Sequence, residues 1–154
     1  MDYLIDTNVL LRSIHRGHPA FGQARAVLHE LADRGQPIVV ATQSFVEFWA
    51  VCTRPIEQNG LGLSAEHTNR IVTRLENKLR RLPDSDEIYG EWRRLVAAYS
   101  VSGKKVHDAR LVAAMCVHGI QDIVTFNTAD FDRYSEIRVY SPQRLLASFT
   151  DLSS

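Results

Sequence analysis

Four acids stand apart from the chain's other charges, because each interrupts or follows an apolar run: Asp6 in LIDTNVLL, Glu47 in SFVEFWAV, Asp108 in KKVHDARLVAAM and Asp130 in VTFNTADF. Taken singly, each has an ordinary explanation. Asp6 after a strand and Asp108 at a helix start are both suited to N-capping, where a side-chain oxygen accepts an orphan backbone N–H. Asp130 could be a loop acid after a strand, and Glu47 an exposed sliver of an otherwise apolar helix. If Glu47 is instead buried, something must compensate its charge. As a set the acids imply more. Carboxylates gathered without Lys or Arg repel by roughly 4 kcal/mol per pair at ~4 Å and an effective dielectric of ~20. A divalent cation removes that cost, and an all-oxygen donor set suits the hard ions Mg²⁺ or Mn²⁺. The chemistry implied is phosphodiester hydrolysis, with water attacking in line and the ion stabilising the attacking and leaving oxygens.

Convergence of four acids so distant in sequence depends on the elements that carry them. Tyr3 to Asp6, Pro37 to Ala41, Ile123 to Thr125 and Ile137 to Tyr140 are short apolar, β-prone runs. Between them the apolar spacing predicts helices over Val9–Ile14, from Phe21 to a stop at Gly35, over Thr42–Thr53 with Ser44 as a candidate cap, from Ser64 to Leu82, over Ile88–Tyr99, from Asp108 to His118, and a short one after Pro142. Either Thr7 or Asn8 could cap the first. Strands alternating with helices predict an α/β fold with a central, mostly parallel sheet of about 4–5 strands and helices on both faces. In such sheets ligands bind beyond the carboxyl ends of the strands, and at least three of the four acids fall at such ends or on the first turns that follow.

Composition bounds the partners. At 154 residues, with 45% hydrophobic and 23% charged residues, the chain reads as one domain over 1–154, the last few residues forming a loose tail. Lys plus Arg equals Asp plus Glu at 18 each, so a polyanion must be met by local clusters rather than by net charge. Cys52 and Cys116 lie in apolar helical patterns with no metal-binding spacing. No signal-like segment and no membrane-length apolar run is present in the sequence, so the expectation is a soluble cytoplasmic protein without a membrane partner.

LIDTNVLL, the lone Glu47 after a buried strand, DARLVAAM from Asp108 and VTFNTADF together resemble the PIN-domain ribonucleases, especially the VapC toxins of prokaryotic toxin–antitoxin modules. The motifs run in order from residue 4 to 131. The resemblance implies a single PIN-like domain and a Mg²⁺- or Mn²⁺-dependent endoribonuclease acting on RNA. It also implies frequent homodimerisation and inhibition by a small VapB-type antitoxin that inserts a segment into the acidic site. Carried over by motif, Asp6, Glu47 and Asp108 form the acidic core, with Asp6 and Asp108 as metal ligands and Asp130 as a supporting acid. Many relatives have an acid where this chain has Asn127, which leaves open whether Asn127 or Asp130 fills the fourth position. Thr7 and Asn8 are expected to orient Asp6 or a metal water.

For RNA contact, Lys104, Lys105 and Arg110 flank Asp108, whereas Arg70, Arg74, Lys78, Arg80 and Arg81 read as a solvated helix face. Three rivals remain. A haloacid-type phosphotransferase would want an Asp where Asn8 stands. A metal-free ribonuclease would use two of the six histidines as acid and base, with His107 the best placed. A non-catalytic PIN-like RNA-binding or protein-interaction module would be expected to have lost acids that this chain retains.

Overall fold

The computed structural model describes residues 1–153. Five strands form one sheet: β1 (Tyr3–Ile5), β2 (Ile38–Ala41), β3 (Arg80–Leu82), β4 (Asp122–Val124) and β5 (Arg138–Tyr140). Their order is β3-β2-β1-β4-β5, and every neighbouring pair is parallel. β1 and β2 are buried along their whole length, which is why they read as unbroken apolar runs rather than as alternating ones.

Successive side chains of each strand enter different cores. Tyr3, Ile5, Ile38, Val40 and Val124 pack with α1 (Thr7–Ile14), α2 (Phe21–Asp33), α3 (Thr42–Thr53), α4 (Ala65–Lys78) and α7 (Pro142–Ser153). Leu4, Val39, Ala41 and Ile123 pack with α5 (Asp86–Ala98) and α6 (Lys105–His118). Both faces are therefore covered. The apolar residues of α6 are buried from Leu111 through Met115, because that helix lies between the sheet and α5, and Gly119 ends it in the left-handed conformation at φ 70°. From β1 the chain moves to β2, and from β3 it crosses to β4 on the other side of β1. The ends of β1 and β4 thus form a switch point, where a crevice opens.

Several boundaries differ from the sequence reading. The helix expected to run to Leu82 stops at Lys78; Leu79 is extended, and Arg80–Leu82 form the edge strand β3 against Val39–Ala41. Leu82 kept the helical spacing by coincidence, its burial coming from the sheet. α6 begins at Lys105, so Asp108 lies within its first turn and is not its N-cap. α1 is capped by Asp6 itself, not by Thr7 or Asn8. Ser44 sits inside α3 rather than capping it, fully buried with its hydroxyl unpartnered. The last helix, expected to be short, spans 12 residues and takes in most of the expected tail, and Ser154 lies outside the described residues. No helix among the described residues is long and apolar enough to cross a membrane.

Candidate active site

Asp6 follows the last residue of β1, and its backbone N–H continues the ladder by donating to the Val124 carbonyl at 3.0 Å. One carboxylate oxygen accepts from the Thr7 N–H at 2.8 Å, and the other accepts from the Thr125 hydroxyl at 2.8 Å. Each oxygen keeps a lone pair free of these bonds. Thr125 is the hub: its oxygen also accepts from Asn8 Nδ2 at 3.3 Å and from the Asn127 N–H at 3.0 Å. Asn8 closes the ring by accepting from the Phe126 N–H at 3.2 Å. The ends of β1 and β4 are therefore laced together by side chains at the switch point.

Thr7 reaches two acids. Its N–H serves Asp6, and its hydroxyl donates to Glu47 Oε2 at 3.0 Å. Glu47 is exposed rather than buried, since Val46, Glu47 and Ala50 form an open strip of α3; the compensation expected for a buried charge is provided by solvent and Thr7. Asp108, from α6, is partly buried and has no hydrogen-bond or ion-pair partner among the described residues. Asp130 ends the one-turn segment Thr128–Asp130 and likewise has none.

The electrostatics place the four acids in one neighbourhood. Burial pushes the Asp108 carboxyl up to about 6, and the charges of Asp130, Asp6 and Glu47 add to the rise, against a small opposing effect of His107. Asp6 is also raised, chiefly by burial, with Glu47 and Asp130 contributing, although its bonds from Thr125 and Thr7 pull the other way. The seven ion pairs among the described residues all lie elsewhere. Among the described residues no three His, Cys, Asp or Glu side chains stand close enough to cage a metal on their own. The set fits a hard ion that keeps several waters and takes one or two carboxylates, because it is all oxygen, uncompensated and partly desolvated.

The remaining expected residues are distributed unevenly. Asn127 meets the network through its backbone, and its side chain is exposed. Lys104 and Lys105 are exposed at the start of α6. Arg110 turns away, donating to Gln43 Oε1 at 2.8 Å and Asp84 at 3.2 Å. Arg80 pairs with Asp2 and Arg81 donates to Thr42, so neither belongs to a helix face. The histidines are scattered: the His15 and His18 rings meet at a tilt, His29 and His67 line a cavity between α2 and α4, and His118 lies at the Pro83 carbonyl, leaving His107 as the neighbour of a candidate-site acid, Asp108. Thr125 was overlooked in the sequence as a site residue. Its signal is a hydroxyl directly after a parallel strand, two residues before Asn127.

Residues 3–137 match the PIN domain. The chain belongs to the PIN-domain family. It is 28% identical to Ribonuclease VapC24 of Mycobacterium tuberculosis over 144 residues, covering 90% of this chain and 94% of that protein. Its fold matches the VapBC2 complex of Rickettsia felis bound to a promoter DNA fragment, with a TM-score of 0.68 and 16% identity over 92% of this chain and 98% of that one. It also matches Mycobacterium tuberculosis VapC20, a Sarcin-Ricin loop cleaving toxin, with a TM-score of 0.60 and 20% identity over 88% of this chain and 98% of that one. At these identities the two structures speak to the fold alone.

Proposed function

We propose that this PIN-domain chain is a divalent-metal-dependent endoribonuclease, the toxin of a VapBC-type module. The observation that carries the reading is Asp108: a half-buried carboxylate without a hydrogen-bond or ion-pair partner among the described residues, close to three other acids at the switch point of the sheet. In this reading Asp6 and Asp108 hold Mg²⁺ or Mn²⁺, with Glu47 and Asp130 completing the acidic rim. Bound there, the ion supplies Lewis-acid stabilisation of the scissile phosphate and acidifies a water. The chain's own residues supply geometry. Thr125 and the Thr7 N–H fix both oxygens of Asp6, and the Thr7 hydroxyl sets the position of Glu47 relative to it. Asp130 takes the fourth position in this reading, because its charge acts on both Asp6 and Asp108 while Asn127 is exposed and meets the network through its backbone N–H. Lys104 and Lys105 are free to meet backbone phosphates; Arg110 is engaged elsewhere.

A VapB-type antitoxin is the partner in this reading. A cavity of about 530 Å³ lies between α2 and α4, its apolar floor including Phe21, Leu28, Ile71 and Leu75. Its rim carries Arg16, Arg25, Arg74 and Lys78, and no acid among the described residues lines it. That combination suits an amphipathic helix with acidic flanks, from which a segment could extend toward the acids. The same reading includes a homodimer, to which exposed Val46 offers apolar surface, and a cytoplasmic location.

Cleavage by the purified chain, with Mg²⁺ and with EDTA, tests the reaction. The expected products carry a 5′-phosphate and a 3′-hydroxyl, because attack by water needs no neighbouring 2′-hydroxyl. Products ending in 2′,3′-cyclic phosphate, or cutting that persists in EDTA, would contradict it.

A further inference from the structure

The helix that presents Asp108 opens without a side-chain cap: Lys104 occupies the cap position in helical conformation and its side chain makes no capping bond. The N–H groups of Val106 and His107 donate to the Gly103 and Lys104 carbonyls, and two carbonyls of the first turn are held by side chains of other helices. Trp92 of α5 donates Nε1 to the Val106 carbonyl at 2.8 Å, and Gln43 of α3 donates Nε2 to the His107 carbonyl at 3.1 Å. Both ends of the Gln43 amide are used, since its oxygen accepts from Arg110 Nη1 at 2.8 Å while Arg110 Nη2 reaches Asp84 at 3.2 Å. Gln43 and Glu47 are four residues apart on α3, hence on one helical face. The face that presents Glu47 to Thr7 therefore also holds the turn that presents Asp108.

We propose that Gln43, locked by Arg110, is a positioning residue that sets Asp108 against Asp6 and Glu47, and that Arg110 serves Gln43 rather than the substrate. The proposal rests on the nuclease reading for its activity readout alone. Two of the five guanidinium donors are engaged, one by an amide oxygen and one by a carboxylate, and together these bonds hold the Arg110 head beside Gln43. Gln43 touches no acid of the site through its side-chain bonds; it acts through the backbone carbonyl of His107, the residue before Asp108.

The test uses the full chain and four variants. Gln43→Met keeps the length and loses both bonds; Gln43→Glu keeps the acceptor for Arg110 and loses the donor to His107; Arg110→Met and the Gln43→Met/Arg110→Met double complete the set. The readouts are kcat and KM on RNA, the salt dependence of KM, Mn²⁺ affinity by calorimetry, and hydrogen exchange at the amides of residues 108–111 in metal-free protein. Gln43→Met is expected to lower kcat on the order of 10- to 100-fold, as small misplacements of reacting groups do, with KM unchanged. It should also weaken Mn²⁺ binding and speed exchange at residues 108–111, while amides of α2 stay as they were. Gln43→Glu should resemble Gln43→Met, and the double should be no worse than Gln43→Met alone, because the two residues act as one unit. Unchanged kcat and unchanged exchange in Gln43→Met would overturn the proposal. So would an Arg110→Met protein with intact kcat, raised KM and a shallower salt dependence, the signature of a lost phosphate contact. If the wild type cuts no RNA, the nuclease reading fails separately, and exchange at residues 108–111 still decides whether Gln43 holds the turn of Asp108: equal rates in wild type and Gln43→Met reject it.

Discussion

Opposite ends of the β1–β4 pair treat their aspartates in opposite ways. Asp122 opens β4 with 1% of its side chain exposed, and Arg138 from β5 answers it with bonds of 2.7 and 3.0 Å. At the carboxyl end, Asp6 has only neutral donors and Asp108 has no partner among the described residues. Folding alone would favour the first arrangement everywhere, because an uncompensated carboxylate in a desolvated position is costly. One end of the sheet pairs its buried carboxylate with a cation, whereas the other leaves carboxylate charge uncompensated, as the proposed metal site requires.

Neutralising each end should separate the two roles. The largest effect expected is on catalysis: Asp6→Asn or Asp108→Asn should lower RNA cleavage roughly a thousandfold or more, equivalent to about 4 kcal/mol of transition-state stabilisation. A cleavage assay on folded variants checks it, and a near-normal rate would erase the distinction between the two ends. At the other end, Asp122→Ala should destabilise by about 2 kcal/mol, the worth of hydrogen bonds to a charged group whose partner Arg138 can return to water. Denaturant unfolding measures that loss, and the cleavage rate of the folded variant should be unchanged.

The smallest effect sharpens the comparison through pH. In the folded protein Asp108 is raised from the ordinary 3.8 to about 6, so between those values the folded state binds more protons than the unfolded one. Stability of the metal-free protein should therefore fall as pH rises from about 4 through about 6, with the full cost present above 6. The upward shift of Asp6 acts in the same direction. Thermal melts in EDTA across this window should show a shallower slope for Asp108→Asn than for wild type.

Much of this was legible in the sequence because the sheet is parallel and buried. Tyr3–Ile5 and Ile38–Ala41 must be apolar on both faces, so they announce themselves, and the polar residue that ends such a run marks the crevice. Asp6 is legible in that way, whereas Glu47 and Asp108 are legible from the apolar helical runs that they interrupt or open. β3 was hidden because an edge strand needs little apolar sequence: Arg80 and Arg81 are exposed, and Leu82 happens to continue the stripe of α4. The bonds of Thr125, Gln43 and Arg110 were hidden for another reason. Each depends on a partner 64 to 119 residues away, at His107 or Asp6, or on a bridge between helices that periodicity along one helix cannot express. Glu47 misled in the opposite sense, since its apolar neighbours Val46 and Ala50 suggested burial and instead lie open beside it.

The central claim, that Asp108 is held uncompensated in order to receive a divalent ion, is tested most directly by melting wild type and Asp108→Asn in EDTA and in Mg²⁺. At about ten times the dissociation constant, Mg²⁺ should raise the wild-type melting temperature by about 3–6 °C, because it binds the folded state alone. Asp108→Asn should melt at or above the wild-type temperature in EDTA, having lost a repulsive carboxylate, and should gain little from Mg²⁺. Equal Mg²⁺ stabilisation of the two proteins, or a metal-free Asp108→Asn less stable than wild type, would contradict the account.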